Sequence, residues 1–123
     1  MSPVSDNLSR MAERQRRLLR QKADALAARK AMAFEEIKVL VEKFRAADPG
    51  ISKIILFGSL ARDDVRFPDF DIDLAVVSSG ESFLKLVAIA LDSPFSVDVV
   101  DLSTADDRIR TAVAREGVVL YEK

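Results

Sequence analysis

From about Ser5 to Ala47, apolar residues recur at spacings near three, four and seven. Leu8, Met11, Leu18, Leu19, Leu26, Met32, Ile37, Leu40 and Phe44 carry the stripe, which has the period of an amphipathic helix. Ser5 or Asp6 is placed to cap its start, and Asp48-Pro49-Gly50 is a strong stop. Such a helix runs about 60 Å at about 1.5 Å per residue, too long for so small a domain to cover. Two alternatives follow: a break near Ala23–Ala31, or a first half that projects and packs on another subunit. The half from Met32 to Phe44 has the wider apolar stripe and is predicted to pack on a sheet.

Past the Pro-Gly turn the period changes. Lys53 to Phe57 is a short apolar run suited to a buried strand. Gly58-Ser59 is predicted to open a short helical segment through Ala61 and Arg62. Asp71 to Val77 begins with strict alternation, the mark of a second strand. Glu81 to Leu91 reads as a helix with Phe83, Leu84, Val87 and Leu91 inward, and Ser93-Pro94 ends it. Ser96 to Val100 is a third strand. Ser103 or Thr104 is predicted to cap a helix to about Glu116, with Asp106 or Asp107 in the box position and Gly117 as terminator. Val118 to Tyr121 closes as a last strand. The alternation implies an α/β (α+β) domain, a central sheet with helices packed on it. Residues 1–47 form a helical arm and residues 51–123 the body.

Composition narrows the chemistry. At 123 residues and 49% apolar content the chain supports one core. It has no cysteine and no histidine, which removes disulfides, thiol catalysis and the commonest general base and transition-metal ligand. Any reaction must run on carboxylates, hydroxyls, lysine and arginine, and any metal should be a hard, oxygen-liking cation. No apolar run approaches membrane-spanning length and the N-terminus lacks the apolar core of a signal peptide, so no membrane partner is expected and the expected location is cytoplasmic. The net charge of −1 hides an asymmetry: 11 Lys/Arg against 6 Asp/Glu in residues 1–47, and 8 against 14 in the rest. The basic arm is either a solvated helix or a surface for an acidic partner or nucleic acid.

Three local features bear on chemistry. Phe57-Gly58-Ser59 leads from an apolar strand into a Gly-Ser turn. There the glycine admits close backbone approach to a ligand, and the Ser59 hydroxyl adds a donor. Asp71 and Asp73 sit two apart on a strand, so both carboxylates share one face while Ile72, Leu74 and Val76 fill the other. Side by side they repel unless a cation sits between them. Asp98, alone among valines, is costly to bury without a partner and completes a triad if its strand lies beside the first pair. Asp101, an odd number of residues on, should face the other side.

Together these features resemble the DNA polymerase beta-like nucleotidyltransferase superfamily, and its minimal (MNT) type in particular. The family signature of Gly-Ser, Asp-x-Asp and a third acid on a neighbouring strand matches Gly58-Ser59, Asp71-Ile72-Asp73 and Asp98 over roughly Ile51 to Tyr121. The resemblance implies a small mixed sheet of palm-like fold. It also implies that Asp71, Asp73 and Asp98 bind Mg²⁺, that Gly58, Ser59 and the candidate Arg62 hold the phosphates of ATP, and that Asp98 activates an acceptor hydroxyl. Family precedent adds AMP transfer to a tyrosine of a HEPN-type helical toxin, with the MNT protein as its antitoxin; a homo-oligomer through the arm is a further expectation. Polymerase action on nucleic acid is disfavoured, since no template-binding domain is present. The alternative is a catalytically inert module of this fold that neutralises a partner by complex formation. The chain departs from the family at Asp63, where glycine is usual, and at Phe70, where serine is usual. Asp63 is expected to place negative charge beside the phosphate site and to adopt a positive φ less cheaply than glycine.

Overall fold

The computed structural model describes residues 2–123 and contains three helices and four strands. Helix α1 spans Pro3–Ala47 without interruption. The segment around Ala23–Ala31 does not break it, because that stretch is rich in alanine, the best helix former, and holds neither glycine nor proline. Its cap is Ser2 rather than Ser5 or Asp6: the Ser2 hydroxyl accepts from the Ser5 N–H, and Pro3 occupies the first turn, where a missing N–H costs nothing. At the other end the Asp48 carboxylate accepts from the Gly50 N–H at 3.2 Å, the Ser79 N–H at 2.9 Å and the Ser79 hydroxyl at 2.6 Å. Burial alone pushes this acid up, but the Ser79 and Gly50 bonds outweigh it and leave it below the usual carboxylate range. Asp48 thereby fastens the end of α1 to the turn that follows the second strand.

Strand β1 (Lys53–Phe57) lies between β2 (Asp71–Val77) and β4 (Val118–Glu122), antiparallel to both. Strand β3 (Ser96–Asp101) pairs with β2 in parallel, giving the order β3-β2-β1-β4. The parallel pair requires a crossover, supplied by α2 (Phe83–Leu91). Alternation along the strands divides the core. Ile54, Leu56, Ile72, Leu74 and Val76 meet Ala33, Ile37, Leu40, Phe44 and Leu86 from α1 and α2. Ile55, Phe57 and Ala75 face the other way, onto Val113 of α3 (Asp107–Glu116).

Two helix registers differ from expectation. In α2, Leu84 and Leu91 point outward at 77% and 79% exposure, while Leu86 and Ala90 are buried. Lys85 is the one polar residue of this helix, so the sequence marks its outer face only at that point, and the crossover geometry selects the rest. Helix α3 is capped by Asp106, whose carboxylate accepts from the Ile109 N–H. Ser103 is drawn into a turn by Asp101, which accepts from its N–H and hydroxyl, a local bond that competes with capping. No helix of the described residues is long and apolar enough to cross a membrane.

The first half of α1 leaves the body. No residue before Ala33 is buried, and Val4, Leu8, Met11 and Leu19 each keep more than half of their surface exposed. Truncation to begin at Leu26 should therefore shift Tm by less than about 4 °C, the equivalent of under about 1 kcal/mol for a domain of this size. A thermal melt with circular dichroism checks this, and a larger loss would mean that the arm supports the body.

Candidate active site

The in-register parallel pairing of β2 with β3 makes Asp73 and Asp98 direct cross-strand partners. Asp71 lies two residues along β2 on the same face, the one that α3 covers only toward Ala75. On the other side of β2, Asp73 is paired with Phe57, the last residue of β1. The three predicted acids thus gather at one end of the sheet, next to the turn that begins at Gly58. Asp71 and Asp98 are exposed and Asp73 is half-buried. Burial, then the neighbouring charges of Asp98 and Asp71, push the Asp73 carboxyl up to about 6, and Arg62 opposes them only weakly.

Gly58 has φ 81°, and a Cβ there would overlap the Asp73 carboxylate. Glycine is needed on both counts. The turn beyond it is shorter than predicted. Arg62 N–H donates to the Gly58 carbonyl and Asp64 N–H to that of Ser59, making one helical turn rather than a helix. The helix-terminus contribution to phosphate binding therefore lapses, leaving the Gly58 N–H, Ser59 and Arg62 as individual donors. Ser59 borders a cavity of about 260 Å³ lined also by Asp64, Val65, Phe67 and Phe70.

Asp63 ends the turn with φ 56°, so it does adopt the left-handed conformation, which aspartate tolerates better than most residues. Its carboxylate is ion-paired with Lys30 of α1, which neutralises the charge expected to disturb the phosphate site. The pair holds Asp63 below the usual carboxylate range. Phe70 stacks at 6.4 Å on Phe95 and joins the apolar layer. Both departures from the family pattern are thus accommodated by packing or pairing.

One participant is invisible in the sequence. Glu116, at the end of α3, accepts from the Gly58 N–H at 3.0 Å and from the Arg62 guanidinium at 3.0 and 3.1 Å. An acid at a helix C-terminus opposes the helix dipole and needs a tertiary partner. That misfit is the only hint the sequence contains. The Arg62 hydrogen bond holds Glu116 below its usual range, and Glu116 in turn raises Arg62.

As the side chains stand, no three acids among the described residues form a ready cage for an ion. The donor set still suits Mg²⁺, which is held by one or two carboxylates together with phosphate oxygens and water rather than by an all-protein cage.

This fold and site define a class, the nucleotidyltransferases of polymerase-beta type. Residues 35–123 match the family model for polymerase beta nucleotidyltransferases, and the chain belongs to that family. Among solved structures it is similar to a chain of the toxin–antitoxin complex MntA–HepT, at 29% identity over 74% of this chain and 73% of that one, TM-score 0.50. A toxin–antitoxin complex with AMP-PNP matches at 26% identity over 68% and 70% of the two chains, TM-score 0.57. A tri-AMPylated HEPN toxin of Shewanella oneidensis in complex with its MNT antitoxin matches at 25% identity over 76% and 73%, TM-score 0.53. No curated protein sequence matches the chain.

Two predictions follow from the geometry. Because the folded-state value of Asp73 lies above the unfolded one, its proton is bound more tightly in the fold. In metal-free protein this group therefore adds stability as pH falls through about 6 toward 4, and its ionisation costs stability above that. Asp73→Asn should raise the metal-free Tm at pH 7.5, with the gain shrinking at pH 5; a pH-independent difference would show that the Asp73 carboxyl is not raised in the fold. Asp63→Gly relieves a left-handed residue but loses an exposed ion pair, two small effects of opposite sign. The melt should move by no more than about 3 °C either way.

Proposed function

We propose that the protein is the antitoxin of a HEPN/MNT pair and a Mg²⁺-dependent protein adenylyltransferase. It moves AMP from ATP to a hydroxyl, a tyrosine by family resemblance, of its helical toxin partner. The observation that carries this reading is the cross-strand seat of Asp73 against Asp98 beside a positive-φ glycine. The partner follows from similarity to chains of toxin–antitoxin complexes, one of which holds an AMPylated HEPN toxin. ATP as donor follows from the complex with AMP-PNP.

In this reading Asp71 and Asp73, with Asp98, hold the cation, and the Gly58 N–H, the Ser59 hydroxyl and Arg62 donate to the terminal phosphates. Bound Mg²⁺ supplies charge neutralisation for the triphosphate and orients it. Asp98, exposed at the rim, faces the acceptor and takes the proton of its hydroxyl. The acceptor oxygen bonds to the α-phosphorus as the bond to the β-phosphate breaks in line, and pyrophosphate leaves. Asp73 must be ionised to hold the cation, so protons compete with Mg²⁺ for it. The cation concentration needed for activity should therefore rise as pH falls toward about 6 and below. The arm's exposed apolar stripe is the surface we assign to subunit contact, whether with the toxin or with a second copy. A cytoplasmic site of action fits a protein that draws on ATP.

With ATP, Mg²⁺ and the helical partner, intact mass spectrometry of the partner should show added adenylate. Asp98→Ala should reduce the adduct by at least about 100-fold while leaving the complex intact on gel filtration. A wild-type protein that binds its partner but never modifies it would replace this reading with that of an inert binding module.

A further inference from the structure

We propose that Glu116 is a specificity-determining residue of the phosphate turn. Its carboxylate occupies the position of a phosphate, and only a polyphosphate displaces it efficiently. This inference rests on the reading of Gly58 and Arg62 as phosphate donors.

Both of those donors are engaged by the same carboxylate. The Gly58 N–H reaches one Glu116 oxygen at 3.0 Å, and the Arg62 guanidinium reaches both, at 3.1 and 3.0 Å. A backbone N–H beside a guanidinium is the recognition pattern of a phosphate oxygen, met here by an internal anion. The Glu116 side chain is 17% exposed and that of Arg62 45%, so the pair is shielded but open on one side.

The backbone beneath Glu116 cannot retreat. The Gly117 N–H donates to the Val113 carbonyl at 2.9 Å, and a Cβ at Gly117 would lie 2.7 Å from Ile55 Cγ2, so the end of α3 is pressed against β1. Displacement must therefore be a rotation of the Glu116 side chain alone. Space for it exists. An open groove of about 870 Å³ adjoins the pair and is lined by Arg62, Arg108, Arg115, Thr111, Glu116 and one further acid, Asp107, so three arginines face two carboxylates. Arg108 and Arg115 sit seven apart on one face of α3, ready to receive the displaced carboxylate or the far end of a phosphate chain.

A ligand bearing a single phosphate offers Gly58 and Arg62 little more than Glu116 already gives. A triphosphate replaces those bonds and adds charge along the arginine wall, so it alone gains from the exchange. The carboxylate thus discriminates by phosphate number and keeps the turn ordered before nucleotide arrives.

Calorimetric titration of the full chain with ATP, AMP and inorganic tripolyphosphate in the presence of Mg²⁺ tests this. Glu116→Gln, which keeps shape and removes charge, should bind AMP about three- to tenfold tighter, in keeping with loss of a partly exposed charge-assisted pair, and ATP less so, narrowing the ATP/AMP ratio. Glu116→Ala, with a melt to verify folding, should do the same. If wild type binds ATP but both folded variants bind AMP no tighter, or bind ATP more weakly, Glu116 merely positions Arg62 and the gate is overturned. If neither wild type nor variants bind any of the three ligands, the nucleotidyltransferase reading itself falls, and the gate with it.

Discussion

Everything at this site depends on one pairing, the parallel alignment of β2 and β3 that places Asp73 opposite Asp98. Burial first, and then repulsion from Asp98 across the strand pair and from Asp71, raise the proton affinity of Asp73. What holds them together is the opposite face of the same strands. Ile72, Leu74, Val76, Val97 and Val99 pack into the layer under α1 and α2, and a shift of one residue would turn that whole set into solvent. The apolar face sets the register, and the register sets the acids. Stability is given up at the sheet end, where the three carboxylates are held together.

The turn after β1 shows the same economy on a smaller scale. Two left-handed residues bound it, Gly58 and Asp63, and each is held by a group from a distant element. Gly58 lies against Asp73 and donates to Glu116 of α3, while Asp63 is paired to Lys30 of α1. The turn is therefore tied to the sheet and to both helical layers, although it contains only one turn of helix. Exposed ion pairs contribute little individually, so their role here is positional. The Glu116 pair fixes Arg62 and the Gly58 N–H side by side, and the Lys30 pair fixes the far end of the turn.

Helix α1 serves two purposes with one continuous element. Its C-terminal part supplies Ala33, Ile37, Leu40 and Phe44 to the core and ends on the buried Asp48, whereas its N-terminal part carries exposed Leu8, Met11 and Leu19 amid basic residues. Helix continuity makes the arm rigid with respect to the body, and Lys30 brings the same helix into contact with the phosphate turn.

Much of this was legible in the residues themselves. The change of period from Phe44 to Ile54, the alternation of Asp71-Ile72-Asp73 and the valines around Asp98 determined the elements and the shared face of the acids, because burial of one strand face is a local rule. The separation of Asp101 from Asp98, an odd number of residues apart on β3, is legible for the same reason. Other features were not. The inner face of α2 differs from the sequence reading at Leu84 and Leu91, because Lys85 is the only polar mark in an otherwise apolar helix. The cap of α3 moved to Asp106 because Asp101 captured Ser103. The sequence shows the charge of Asp63 and the backbone cost of its position, but only the fold supplies Lys30, thirty-three positions away, to neutralise it. Glu116 was unseen as a site residue, since its partners lie fifty-four and fifty-eight positions earlier. The sequence determined which residues face the same way, since alternation is written in neighbouring positions. Tertiary structure decided which charges meet, since Coulomb and hydrogen-bond partners are set by distance in space, and the chain alone does not encode that in any local pattern.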